Sequence, residues 1–82
     1  MDATMSSVEQ LTSQAMRHWA EYLPEKTADL KEAGTFEFRA RQAAERAVKE
    51  IQDLVRRGMS EDEAEEMVLP EYILLKPEPR LL

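Results

Sequence analysis

The stretch FEFRARQAAERAVKEIQDLVRRG, Phe36 to Gly58, decides the fold. With an advance of about 100° per residue, Phe36, Ala40, Ala43, Ala44, Ala47, Val48, Ile51, Leu54 and Val55 fall within an arc of roughly 140°. That is one continuous apolar stripe, and it predicts a helix over 36–57. Its first half is thin because four of the positions are alanine, so another helix can approach closely there. On the opposite side, Glu37 and Arg41, Glu45 and Lys49, Lys49 and Asp53, and Arg46 and Glu50 stand four residues apart, a spacing at which opposite charges support an exposed helix. Arg56 and Arg57 suit the negative end of the helix dipole, and Gly58 is the stop. One residue does not fit this pattern. Phe38 points away from the stripe, towards Arg41, Gln42 and Glu45. Either the helix begins later and Phe38 packs inward from a loop, or it is an exposed aromatic of the kind that anchors interfaces.

Upstream, Ser7 with Gln10, or Ser6 with Glu9, has the spacing of a capping box. Val8, Leu11, Ala15, Trp19, Tyr22 and Leu23, with Met16 alongside, then follow the three-and-four spacing of an amphipathic helix over 7–23. Pro24 marks its end, since the residue before proline avoids helical angles. The run PEKTADLKEAG, Pro24 to Gly34, predicts a short helix or helical turn with Ala28, Leu30 and Ala33 as its apolar side and Gly34 as its stop. Thr35 is placed to cap the helix that follows.

Downstream, Ser60 and Glu63 form a second capping box, Met59 and Ala64 are spaced as a hydrophobic staple, and Glu61, Asp62 and Glu63 suit a helix N-terminus. A short helix over 61–68 is expected, broken at Leu69 by Pro70. From there LPEYILLKPEPRLL, Leu69 to Leu82, is neither helical nor alternating, and its prolines favour an extended form. The chain thus reads as an all-α small helical domain over 1–69 with an extended apolar C-terminal tail over 70–82.

Composition narrows the chemistry. The 82 residues leave room for a single small domain, and 43% hydrophobic with 34% charged residues is too apolar for wholesale disorder. Without cysteine, disulfides, thiolate nucleophiles and sulfur-ligated zinc sites are ruled out. The opening MDATMSSVEQ has no basic start or apolar run, and no stretch approaches the roughly 20 apolar residues of a membrane span. A cytoplasmic protein is expected. Met5, just before the capping serines, serves as well as Met1 for a start. The single His18, with Glu21 three residues on, lacks further ligands of the same quality for a metal. The serines at 6, 7, 13 and 60 have no candidate base apart from His18, and Gly34 and Gly58 read as helix stops, not as a phosphate loop. The acidic run at 60–66 lacks the alternating ligands and central glycine of a calcium loop. No catalytic, metal or cofactor site is therefore assigned, and no enzyme is expected.

Two functional candidates remain. The first is the tail: Tyr72, Ile73, Leu74 and Leu75, together with Phe38, are candidate partner-binding residues. The tail could cover the thin alanine stripe of its own chain, exchange with a second copy to make a homodimer, or be captured by another protein through strand addition or groove insertion. The second is the basic face of the 36–57 helix, where Arg39, Arg46, Lys49 and Arg56, with Arg41 and Arg57, are candidate nucleic-acid contacts. Four acids are interleaved among those six cations, and the whole chain carries a net charge of −6, so nucleic acid is the weaker reading. The expected function is a non-enzymatic protein–protein interaction module, a small regulator or inhibitor. The alternatives are a dimeric nucleic-acid-binding regulator and an antitoxin-like or DNA-mimic inhibitor using the acidic surface and the tail. In size, acidity and helical build the chain is similar to small accessory proteins of bacteria, their phages and mobile elements, without a motif that singles out a family.

Overall fold

A computed structural model describes residues 3–79 of the chain, with side chains from Ser7 onward. Four helices follow one another: α1 (Ala3–Tyr22), α2 (Pro24–Glu32), α3 (Phe36–Arg56) and α4 (Glu61–Tyr72), with no strand among the described residues. The all-α reading holds. The long helices α1 and α3 pack as a hairpin, α2 connects them, and α4 folds back onto α3.

The alanine seam determines how these helices meet. Ala40, Ala44 and Ala47 of α3 and Ala15 of α1 are all fully buried, and with them are Trp19, Leu23 and Val68. Small residues let two helix backbones come close, but they contribute little apolar area. Among the described residues only one large side chain is completely enclosed, and it is Ile73, just past the end of α4. Val55, at the far end of the stripe, is 41% exposed although its angular position matched the core residues.

Several local expectations are corrected. Helix α1 begins at Ala3, so Ser7 lies inside its second turn and does not cap it; the side chain of Ser6 and the starts at Met1 or Met5 lie outside the described side chains. Thr35 occupies the N-cap position of α3 without making a side-chain capping bond. Ser60 does cap α4: its hydroxyl accepts from the Glu63 N–H at 3.2 Å and donates to the Glu63 carboxylate at 2.9 Å. The i,i+4 pairs expected along α3 do not close. Among the described residues the ion pairs are Asp53 with Arg56 at 3.8 Å and with Arg57 at 3.7 Å, both highly exposed. Solvated pairs of that kind contribute little to stability.

Pro70 does not break α4 at Leu69; the helix continues to Tyr72. Proline inside a helix removes one backbone bond and crowds the preceding turn, at a cost of about 3 kcal/mol. Burial offsets it. Val68 and Ile73 are buried, and Leu69 and Tyr72 pack against the core from the same side of the helix. The end is secured by Leu69, whose carbonyl accepts from both Ile73 N–H at 2.8 Å and Leu74 N–H at 2.7 Å. Tyr72 and Ile73 therefore belong to the helix terminus and not to an extended tail.

The fold is flat. Its principal extents are 44 × 28 × 14 Å and its radius of gyration is 13.6 Å, where a compact domain of this length has roughly 12 Å. It exposes 6194 Å² of surface, roughly a thousand Å² more than is usual for a monomer of 9.5 kDa.

Two substitutions test this account by chemical denaturation followed by circular dichroism. Ile73→Ala is expected to remove about 2–5 kcal/mol, a large share of what an 82-residue domain has. Thr27 is buried with a hydroxyl that has no hydrogen-bond partner. Thr27→Val removes that desolvated group at constant shape and is expected to stabilise by about 1 kcal/mol.

Candidate functional site

The C-terminal segment is clasped by its own chain at three points. The indole Nε1 of Trp19 donates to the Ile73 carbonyl at 2.9 Å in the buried core. His18 Nε2 lies 2.8 Å from the Leu75 carbonyl, and a carbonyl can only accept, so the ring carries its proton on Nε2. The same ring sits 4.7 Å from that of Tyr22. Further on, Glu78 N–H donates to the Tyr22 carbonyl at 2.9 Å, satisfying one of the open carbonyls at the end of α1.

The third clasp continues through the Glu78 side chain. Helix α2 starts from Leu23, which has no capping oxygen, with Pro24 in its first turn. The Glu78 carboxylate supplies what is missing, accepting the Glu25 N–H at 3.0 Å and the Lys26 N–H at 2.9 Å. A carboxylate at a helix N-terminus is favoured by both the free N–H groups and the dipole. Nothing local in the sequence linked Glu78 to Pro24. The one available signal was negative: a proline-initiated helix preceded by a leucine lacks a cap of its own.

These contacts lay the described part of the tail on its own chain. Residues 73–79 cover their own chain. Ile73 is fully enclosed, Leu74 and Leu75 are half-buried against the core, and Tyr72 is half-buried on α3. Ile73, expected among the partner-binding residues, is thus a core residue. The Tyr72 hydroxyl bonds to Glu50, and this carboxylate, with partial burial, holds its pKa above the ordinary tyrosine value against the opposing effect of Arg46. Leu81 and Leu82 lie outside the described residues. Phe38, by contrast, is 64% exposed on the outer face of α3, so the helix does begin at Phe36 and the inward-packing alternative fails.

The six cations of α3 and its C-cap do not make one surface. Arg39 and Arg46 stand on the flank nearest α2, with Gln42 between them, and border a recess of about 330 Å³ that they share with Lys26 and Tyr72. Arg56 lies at the other end, some 25 Å along the axis, tied to Asp53 together with Arg57. Lys49 and Arg41 are exposed elsewhere on the helix.

A second, larger hollow lies on the opposite flank of α3. Helices α1 and α4 each pack on α3 without comparable contact with each other, which leaves a groove of about 800 Å³. Its floor is apolar, formed by Leu11, Val48, Ile51, Val55 and Leu69. Its rim is polar: Gln10, Gln14 and Ser7 from α1, Glu61 and Glu65 from α4, and Gln52 and Arg56 from α3. Among the described residues no group of three or more His, Cys, Asp or Glu converges as a metal site would, and no helix is long and apolar enough to cross a membrane.

The clasp can be tested directly. In Glu78→Gln the charge at the start of α2 is lost, and the Glu25 and Lys26 amides are expected to exchange with solvent several-fold faster by hydrogen–deuterium exchange. No family model, curated protein or solved structure matches the chain.

Proposed function

We propose that the protein is a non-enzymatic interaction module whose groove between α1, α3 and α4 receives an apolar helical ridge of a partner protein. The observation that carries this reading is Val55. It belongs to the core stripe of α3 by angular position, yet stands 41% exposed over a groove that no part of the described chain fills. Grooves of this size, with an apolar floor and a polar rim, suit an amphipathic helix entering by residues three and four apart. The rim favours a partner with basic flanks, because Glu61 and Glu65 face Arg56 alone across it. Glu61, Asp62, Glu63 and Glu66 extend the negative surface along the start of α4.

The flatness of the fold supports the same reading. The surplus of exposed surface is slightly larger than the area of about 800 Å² that one side of a standard protein–protein interface buries. Phe38 and Met67, 64% and 56% exposed, offer apolar anchors outside the groove.

A photo-cross-linking residue placed at position 55 of the full chain, expressed in cells, tests the proposal. One discrete cross-linked species is expected, identified by mass, and it should vanish when Glu61 and Glu65 are both replaced by Lys. The same residue at Glu32, on exposed α2, is the control. A product of two chains would identify the partner as a second copy. Equal labelling from positions 55 and 32 would remove the reading.

A further inference from the structure

We propose that the smaller recess, between α2, α3 and the C-terminal segment, binds a small organic oxyanion, a phosphate or carboxylate joined to a compact apolar body. Three cations approach it: Arg39 and Arg46 from α3, two turns apart, and Lys26 from α2. None of the three forms an ion pair among the described residues. In a chain with a net charge of −6, three unpaired cations around one hollow, with Glu71 as the only acid lining it, form a local positive site in a negative field. Two arginines two turns apart can present their planar donors to opposite sides of a single oxyanion, a geometry suited to phosphate and carboxylate.

The recess is built, not incidental. The Lys26 backbone is fixed by the Glu78 carboxylate, and its ammonium lies 5.3 Å from the centre of the Trp19 ring. A cation held over an aromatic face keeps its charge available on its outer side. Trp19, Leu30, Ala43 and Leu75 give the hollow an apolar floor. Two of its walls, Tyr72 and Leu75, come from the end of the chain, so docking of that segment completes the site.

Its size and surroundings select the ligand. At about 330 Å³ the recess is at the lower end of small-molecule sites. A nucleic-acid backbone would have to pass Glu71 at the rim and Glu50 beside Tyr72, whereas one compact anion meets the cations inside. This site is separate from the groove proposed for a protein partner, and either can fail without the other.

Trp19 is the sole tryptophan and lines the recess, so its fluorescence reports on the site in the unmodified chain. Titration with phenyl phosphate at low salt is expected to give a saturable change, with inorganic phosphate binding roughly tenfold more weakly for lack of an apolar body. Arg39→Gln and Arg46→Gln are each expected to weaken binding about tenfold, with circular dichroism unchanged. Arg41→Gln, on the outer face, should leave it unaltered. A linear, unsaturated response would overturn the proposal, as would an equal response to phenol or indifference to both arginine substitutions. Displacement by a short DNA duplex that also depends on Lys49 and Arg56 would overturn it in favour of a nucleic-acid surface.

Discussion

A helix seam made of alanine can be approached closely but cannot fill a core, and the rest of this structure follows from that constraint. Ala15 meets a surface of Ala40, Ala44 and Ala47, which holds α1 and α3 together without providing much apolar volume. Trp19 and Leu23 supply bulk from one side. The remaining volume comes from residues far along the chain, Val68 and Ile73, and the indole N–H of Trp19 fixes the Ile73 carbonyl as it fixes the packing. The hydrogen bond matters here because a buried indole N–H without a partner would be a net cost.

The stripe from Phe36 to Val55 was legible in the sequence because its periodicity is long and regular, and so were the Ser60 cap and the glycine stops. Gly34 and Gly58 adopt positive φ values of 76° and 108°, the backbone region that glycine alone enters freely. What the sequence concealed depends on contacts between distant residues. Pro70 carries a strong local signal to stop, and tertiary burial of Val68 and Ile73 overrides it. Val55 carries a strong periodic signal for the core, but burial there needs a neighbour, and it borders the groove between α1 and α4 instead. The Glu78 cap of α2 joins residues more than fifty positions apart. Phe38 was ambiguous for a related reason: helical spacing says which way a side chain faces, and not whether anything lies in that direction.

The two flanks of α3 have acquired different characters. One is bordered by α1 and α4, with an apolar floor and acidic residues on its rim; the other is bordered by α2 and the C-terminal segment and holds Lys26, Arg39 and Arg46. Charges that look interleaved along the sequence are sorted in space, because positions three, four and seven apart share a flank while positions one or two apart face different ways. A formal charge of −6 therefore says little about the surface any single ligand would meet.

The clasp of Glu78 on the start of α2 has a consequence for how the protein is made. Its partners, Tyr22, Glu25 and Lys26, emerge from synthesis long before it does, and so do Trp19 and His18, which await Ile73 and Leu75. A nascent chain can form its helical hairpin early, yet it holds an uncovered tryptophan and an uncapped α2 until nearly the last described residue is available. Contacts this distant in sequence form slowly relative to local helices. A chain cut short by a premature stop would retain most of its secondary structure while displaying the very apolar surface that quality-control proteases and chaperones recognise.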